Sequence, residues 1–142
     1  MDYEAKKATL CGDGSQKFHT TTYSTVGDAI VGILRSPAQY ANKMAFIHDF
    51  YTSQREILSI IENEVNAKFE VTSIDVEELG KKSLEGLAKG EYNMENITGA
   101  IKCAVWGPEH CSDWDENDDS EALGLRKKDL RAELKLKMQA GE

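Results

Sequence analysis

The densest group of chemically reactive side chains lies between residues 109 and 121, in the run E-H-C-S-D-W-D-E-N-D-D-S-E. Acidic residues alternate along this run as they do in a calcium-binding loop. However, the sixth position of such a loop is Asp118, where glycine is needed, and the twelfth is Gly124, where a glutamate is needed. We therefore assign no metal-binding residue and expect a solvated acidic loop.

Two other features could carry chemistry but favour structural roles. His48 ends an apolar stretch, with no His, Cys or Asp at ligand spacing, which is typical of a structural histidine. The glycines at Gly12 and Gly14 are too close for the G-x-G-x-x-G phosphate loop, and no helix is predicted behind them. They predict a tight turn. These residues give no catalytic and no cofactor-binding assignment.

Composition describes an ordinary globular chain. Its 142 residues are 40% hydrophobic and 30% charged, with a net charge of −8 that disfavours nucleic-acid binding. No apolar run is long enough to cross a membrane, so no membrane association is expected. The N-terminus has no signal-peptide pattern, and three cysteines without a C-x-x-C pair indicate reduced thiols, so we expect a cytoplasmic protein.

The first half of the chain predicts alternating elements around the stretch 23–76. Residues 7–23 predict a hairpin, and Ser24 or Thr25 is expected to cap a helix that Pro37 ends. The mostly apolar run Met44 to Phe50 predicts a strand covered on both faces. A helix with a Ser53–Glu56 capping box and a strand from Phe69 to Val76, placed at a sheet edge, complete the block.

The second half predicts helices. Asp75 caps a helix that Gly90 ends, and Asn93 caps another that ends at Gly107. A short basic helix follows the acidic loop and ends the chain. Four side chains on or beside the middle helices are candidates for lining a substrate pocket: Tyr92, Met94, Trp106 and His110.

Four phrases, with the order of the elements, carry a family resemblance. They are G-D-G-S-Q-K-F at Gly12, S-T-V-G-D-A-I at Ser24, T-S-Q-R-E-I-L at Thr52 and E-A-L-G-L-R-K-K-D-L at Glu121. Together they resemble the C-terminal part of the NmrA-like / isoflavone reductase-like family, which are atypical short-chain dehydrogenases. Within that family, the sequence is most similar to the fungal members.

The resemblance implies an α/β fold: a partial Rossmann-type sheet with flanking helices, plus a C-terminal helical substrate subdomain. Residues 1–142 are expected to form a single domain. Within it, residues 1–76 would supply the hairpin and the end of the Rossmann sheet, and residues 77–142 the substrate-side helices and the acidic loop. Tyr3 and Lys7 match the Tyr-x-x-x-Lys spacing of short-chain dehydrogenases, but no nucleotide fold or serine precedes them, so we take the match as coincidence.

The resemblance implies an NAD(P)H-dependent oxidoreductase acting on a small organic molecule. The chain lacks the dinucleotide motif and the segment that carries the family's catalytic lysine. We therefore expect a truncated portion that is inactive alone and holds NADP or NAD poorly, with self-association or a partner at an exposed sheet edge. The alternatives are an NmrA-like regulatory or ligand-binding protein without catalysis, and an α/β protein whose function no motif reveals.

Overall fold

The computed structural model describes residues 2–109 and 117–140, which fall into two compact units. Unit 1 comprises Met1–Phe18 and Thr52–Asp113, and unit 2 comprises His19–Tyr51 and Trp114–Glu142. The expectation of one domain, divided near residue 76, stays a prediction. In the part of the chain that the structure describes, no helix is long and apolar enough to span a bilayer.

The sheet of unit 1 is a parallel pair of strands. β1 (Lys7–Cys11) pairs with β4 (Glu70–Ile74) in a continuous register from Lys7↔Glu70 to Cys11↔Ile74. The inward side chains of β1 are buried, and the helix α3 (Gln54–Val65) contributes Leu58 and Ile61 to the same core. A parallel pair joined through helices is typical of α/β folds. The predicted fold class is confirmed.

The predicted hairpin over residues 7–23 is wrong. The tight turn exists, because Gly12 and Gly14 adopt positive φ angles of 59° and 75°. However, β1 pairs with β4, and β2 (Lys17–Thr20) pairs with β3 (Phe50–Ser53). The backbone N–H of Gly12 also donates to the carbonyl of Ile74, which extends the β4 pairing past the end of β1. The turn therefore redirects the chain instead of folding β2 back onto β1.

The strand predicted from Met44 to Phe50 is also wrong. Strand β3 begins only at Phe50, and Phe46 makes an isolated parallel bridge with Asp118. The side chains from Ala45 to Phe50 are half-buried, and Met44 is exposed, so this run is not covered on both faces. The strand predicted at residues 69–76 is confirmed as β4, whose first four residues are exposed, and self-association at its open edge stays a prediction.

Helix ends in unit 1 follow the predicted caps. Ser53 and Glu56 form a reciprocal capping box on α3. Asp75 caps α4 (Val76–Ala88), and Asn93 caps α5 (Met94–Trp106). These local side-chain to backbone hydrogen bonds satisfy the free N–H groups that begin each helix.

Glycine and serine let α4 and α5 approach closely. A Cβ on Gly80 would overlap Cys103, and one on Gly99 would overlap the hydroxyl of Ser83. Ser83 is fully buried, and it contacts the other helix where Gly99 leaves room. The glycines that weaken these helices in isolation are therefore what allows the pair to pack.

In its described residues, unit 2 contains three helices and a small core. They are α1 (Tyr23–Arg35), α2 (Pro37–Tyr40) and α6 (Leu130–Ala140). The predicted cap of α1 at Ser24 or Thr25 is wrong, because Thr22, two positions before Ser24, caps the helix. The core is built from α1, α2, the segment before β3 and the turn before α6, with these members: Ala29, Tyr40 and Leu123, packed against Ile33, Ala45, Ile47 and Leu125.

Candidate functional site

A polar cavity of about 220 Å³ lies within unit 2 and is the candidate functional site. Its walls come from the segment before β3, the loop after residue 117 and the basic segment before α6. We call it the polar cavity, and the residues that line it are His48, Asp49, Asp118, Ser120, Leu125, Arg126, Lys127 and Lys128. None of the local patterns in the sequence joins these three segments, which lie up to about eighty residues apart.

Asp49 holds the N-terminus of α1. Its Oδ2 accepts hydrogen bonds from the backbone N–H of Thr22 at 2.6 Å and from the hydroxyl of Thr22 at 2.8 Å, while Oδ1 accepts from the Thr25 hydroxyl at 2.7 Å. Burial alone would raise the pKa of Asp49. The donors on Thr22 and Thr25, with the charge of Lys128, outweigh it and hold that pKa below its ordinary value.

Asp118, Ser120 and His48 form a second group of contacts in the cavity lining. The Ser120 hydroxyl donates to Asp118 Oδ1 at 2.5 Å, and the Ser120 backbone N–H donates to the same oxygen at 3.0 Å. His48 Nδ1 lies 3.6 Å from Asp118 Oδ1 and is buried without another acceptor among the described residues. Burial would raise the pKa of Asp118, but the two Ser120 hydrogen bonds and the charges of His48 and His19 keep it lowered.

Rings pack around His48. Its imidazole lies edge-on to that of His19, with centroids 4.4 Å apart, and His19 stacks on Tyr51 at 4.6 Å. The sequence favours a structural role for His48, and this ring packing is consistent with that role, although the residue also lines the cavity. No set of three or more His, Cys, Asp or Glu side chains converges on a metal position among residues 2–109 and 117–140.

The basic segment supplies the cavity's positive charge. Lys128 donates to the hydroxyls of Thr22 and Ser24, at 2.5 and 2.6 Å. Arg126 also lines a second polar cavity of unit 2, of about 400 Å³, together with Arg35 and Asp28. Three consecutive cations therefore face a cavity in a chain whose net charge is −8.

An apolar cavity of about 400 Å³ lies within unit 1, between α4 and α5. Its floor is made by Gly80, Leu84, Ala100, Cys103 and Ala104, with Pro108 beyond the end of α5. The charged lining residues Glu77, Lys81 and Glu109 are exposed, and Lys81 donates to Glu77 at 2.8 Å, one turn away. A mostly apolar concavity of this size suits a small organic molecule.

The predicted pocket residues do not converge. Tyr92 and Met94, 76% and 75% exposed, lie at the start of α5, whereas Trp106 ends the same helix about 18 Å away by helical rise. Trp106 packs edge-on against Phe18 at 5.3 Å, and its indole Nε1 is buried without an acceptor in the described part of the chain. His110 lies outside the described residues. Their role in a substrate pocket stays a prediction.

A nicotinamide dinucleotide needs a helix N-terminus that can accept a pyrophosphate. The structure offers carboxylates there instead. Asp49 holds the start of α1 and Glu56 that of α3, while α4 begins with Asp75, Glu77 and Glu78. Carboxylates satisfy the same N–H groups and repel phosphate. These helix ends therefore do not fit the phosphates of NADP or NAD.

No protein-family model matches the chain. Among curated proteins, oxidoreductase aprR of Aspergillus flavus is 31% identical over 83 residues, which cover 58% of this chain and 28% of that protein. Oxidoreductase poxI of Penicillium oxalicum is 24% identical over 136 residues, covering 89% of this chain and 41% of that protein. The chain spans less than half the length of these relatives.

Among solved structures, isoflavone reductase matches with a TM-score of 0.65 and 21% identity. The match covers 90% of this chain and 42% of that structure. The chain therefore has an isoflavone reductase-like α/β fold over part of that protein's length, and the resemblance that the sequence phrases indicate is confirmed. The narrower expectations, that it is NmrA-like and is the C-terminal portion, stay predictions.

Proposed function

We propose that this chain is the substrate-side portion of an NAD(P)H-dependent oxidoreductase that acts on a small, largely apolar organic molecule. The observation that carries the proposal is the isoflavone reductase-like fold, which extends over nine tenths of the chain. The two fungal relatives named as oxidoreductases support the same class of activity.

The apolar cavity is the proposed substrate position. Its floor of aliphatic side chains and Cys103 offers contact area without buried charge, which favours a ligand with a ring or hydrocarbon body. Lys81, Glu77 and Glu109 at the rim offer polar contacts that would orient a hydroxyl or carbonyl group. An isoflavone has this combination of an aromatic body and a polar carbonyl group.

The dinucleotide would not be held at the starts of α1, α3 and α4, because these helix N-termini carry carboxylates. Hydride transfer requires the cofactor to be held against the substrate. The chain alone is therefore expected to bind the organic molecule and to show neither tight NADPH binding nor turnover. A cytoplasmic location accords with the reduced cysteines of the sequence and belongs to the same proposal.

The test is a titration of the chain with an unsubstituted isoflavone, followed by fluorescence or calorimetry. Ala104→Trp places an indole in the apolar cavity. We expect it to weaken isoflavone binding about tenfold or more, because the indole fills the volume that the ligand would occupy. The matched control is Ala88→Trp, an exposed position near the end of α4 that does not line the cavity. It should leave affinity unchanged.

Absence of saturable isoflavone binding, or equal weakening by both variants, would refute this position for the substrate. A parallel NADPH titration tests the alternative function, a regulatory protein without catalysis. Binding of NADPH by the unmodified chain, without any isoflavone binding, would favour a dinucleotide-responsive regulatory protein over a reductase portion.

A further inference from the structure

The charges of the polar cavity in unit 2 are not balanced within it. Two carboxylates and three cations line its walls, together with one histidine. Their hydrogen bonds decide which of these charges is already compensated and which remains available to a ligand. The carboxylates and the cations differ in how far their charges are compensated.

Both carboxylates are already engaged. Asp49 accepts three hydrogen bonds from Thr22 and Thr25. Asp118 accepts two from Ser120 and lies beside the imidazole of His48. Carboxylates with this many donors have little remaining capacity to hold a further cation.

The cations are less fully engaged. Lys128 uses two of its three ammonium donors on the hydroxyls of Thr22 and Ser24. Arg126 and Lys127 make no ion pair and no side-chain hydrogen bond with any residue of the described ranges, and both line the cavity. Two adjacent side chains of like charge, with eight N–H donors between them, are free to bind an anion in the cavity that both line.

We propose that the polar cavity binds a phosphate group, through the guanidinium of Arg126 and the ammonium groups of Lys127 and Lys128. A phosphate group suits this set because its several acceptor oxygens can take the planar fork of arginine and two point-charge ammonium donors together. The volume of about 220 Å³ admits a compact anion but not a dinucleotide. The ligand is free phosphate or the monoester of a small molecule.

The site is independent of the proposed isoflavone position. The apolar cavity belongs to unit 1 and the polar cavity to unit 2, and they share no lining residue. Failure of either binding experiment therefore leaves the other unaffected.

The test uses inorganic phosphate and phenyl phosphate, added separately to the ¹⁵N-labelled chain, with sodium chloride at matched ionic strength as the salt control. We expect saturable amide shifts at His48, Ser120 and residues 126–128 for at least one phosphate probe and none for chloride. Shifts with both probes indicate a site open enough for a monoester. Shifts with inorganic phosphate alone indicate the free ion.

The variants Arg126→Gln and Lys127→Gln should each weaken phosphate binding about tenfold, since each removes a charge-assisted hydrogen bond. Both residues are exposed, so thermal melts should show an unchanged fold. The control is Lys43→Gln, an exposed cation of the same unit that lines neither polar cavity. Linear, non-saturating shifts with both phosphates, or equal weakening by Lys43→Gln, would overturn the proposal.

Discussion

Asp49 offers the sharpest test of how unit 2 is held together. Replacing it with asparagine removes the charge but keeps one oxygen acceptor of similar shape. The lost contacts are the charge-assisted components of the hydrogen bonds from Thr22 and Thr25 and the attraction to Lys128. Nothing else in α1 replaces them, because its first turn contains no acidic side chain of its own.

The expected loss follows from the geometry. Hydrogen bonds to a charged group contribute roughly 1.5–3 kcal/mol. The cap of α1 itself is retained in the variant, because Thr22 Oγ1 still accepts from the Thr25 N–H. Because Asp49 is only half-buried and asparagine retains one acceptor, we expect Asp49→Asn to lower the free energy of unfolding by about 1–2 kcal/mol at pH 7. Urea denaturation followed by circular dichroism measures this difference.

The pH dependence provides an independent check. The pKa of Asp49 is lowered in the folded chain, so its stabilisation is fully present above the unfolded pKa near 3.9 and is lost as pH falls through the folded pKa. The difference between the two proteins should therefore be complete at pH 5 to 7 and should shrink from about pH 4 downward.

The matched control is Asp28→Asn, an exposed carboxylate on the same helix that makes no side-chain hydrogen bond with the described residues, and it should change stability by less than about 0.5 kcal/mol. Two results would refute the reasoning. One is an Asp49→Asn protein as stable as the unmodified chain at pH 7. The other is a stability difference that persists unchanged at pH 3.

Two further predictions concern close packing and burial. Gly99→Ala should destabilise unit 1 by about 1–3 kcal/mol despite the better helix propensity of alanine, because the new methyl group overlaps Ser83. Gly27→Ala, with open space around it, should be neutral or stabilising by up to about 1 kcal/mol. Urea denaturation compares the two variants, and equal effects would contradict the packing argument. Iodoacetamide should label half-buried Cys103 well before buried Cys11, because burial raises the pKa of the Cys11 thiol. Peptide mass mapping gives the order of labelling, and faster labelling of Cys11 would contradict the prediction.

Local signals in the sequence predict the helices well. The caps at Ser53, Asp75 and Asn93 depend on residues within three positions of each helix start, so the sequence contains all the information needed. Strand pairing depends on partners far apart in the chain, such as Thr9 and Thr72, which are separated by 63 residues, and no local pattern specifies it. The Gly12–Gly14 turn is correctly predicted, yet its resemblance to a hairpin turn leads to the wrong partner.

The polar cavity could not be predicted for the same reason. His48 lacks a ligand-spaced neighbour along the chain, but Asp118 reaches it across seventy residues through the bridge at Phe46. The basic run at residues 126–128 is visible in the sequence, but acidic residues interrupt the basic patch, and the sequence predicts only a short basic helix there. Only the structure shows that the nearby carboxylates of Asp49 and Asp118 are already committed to threonine and serine donors.

Helix capping and phosphate binding compete for the same groups in this chain. The N–H groups that begin α1, α3 and α4 are the ones a helix-bound phosphate would need, and Asp49, Glu56 and Asp75 already occupy or screen them. The carboxylates that make the helices predictable therefore close their ends to phosphate. Side-chain cations are therefore the candidate anion-binding groups, and Arg126 and Lys127 line the polar cavity without an ion pair to any described carboxylate.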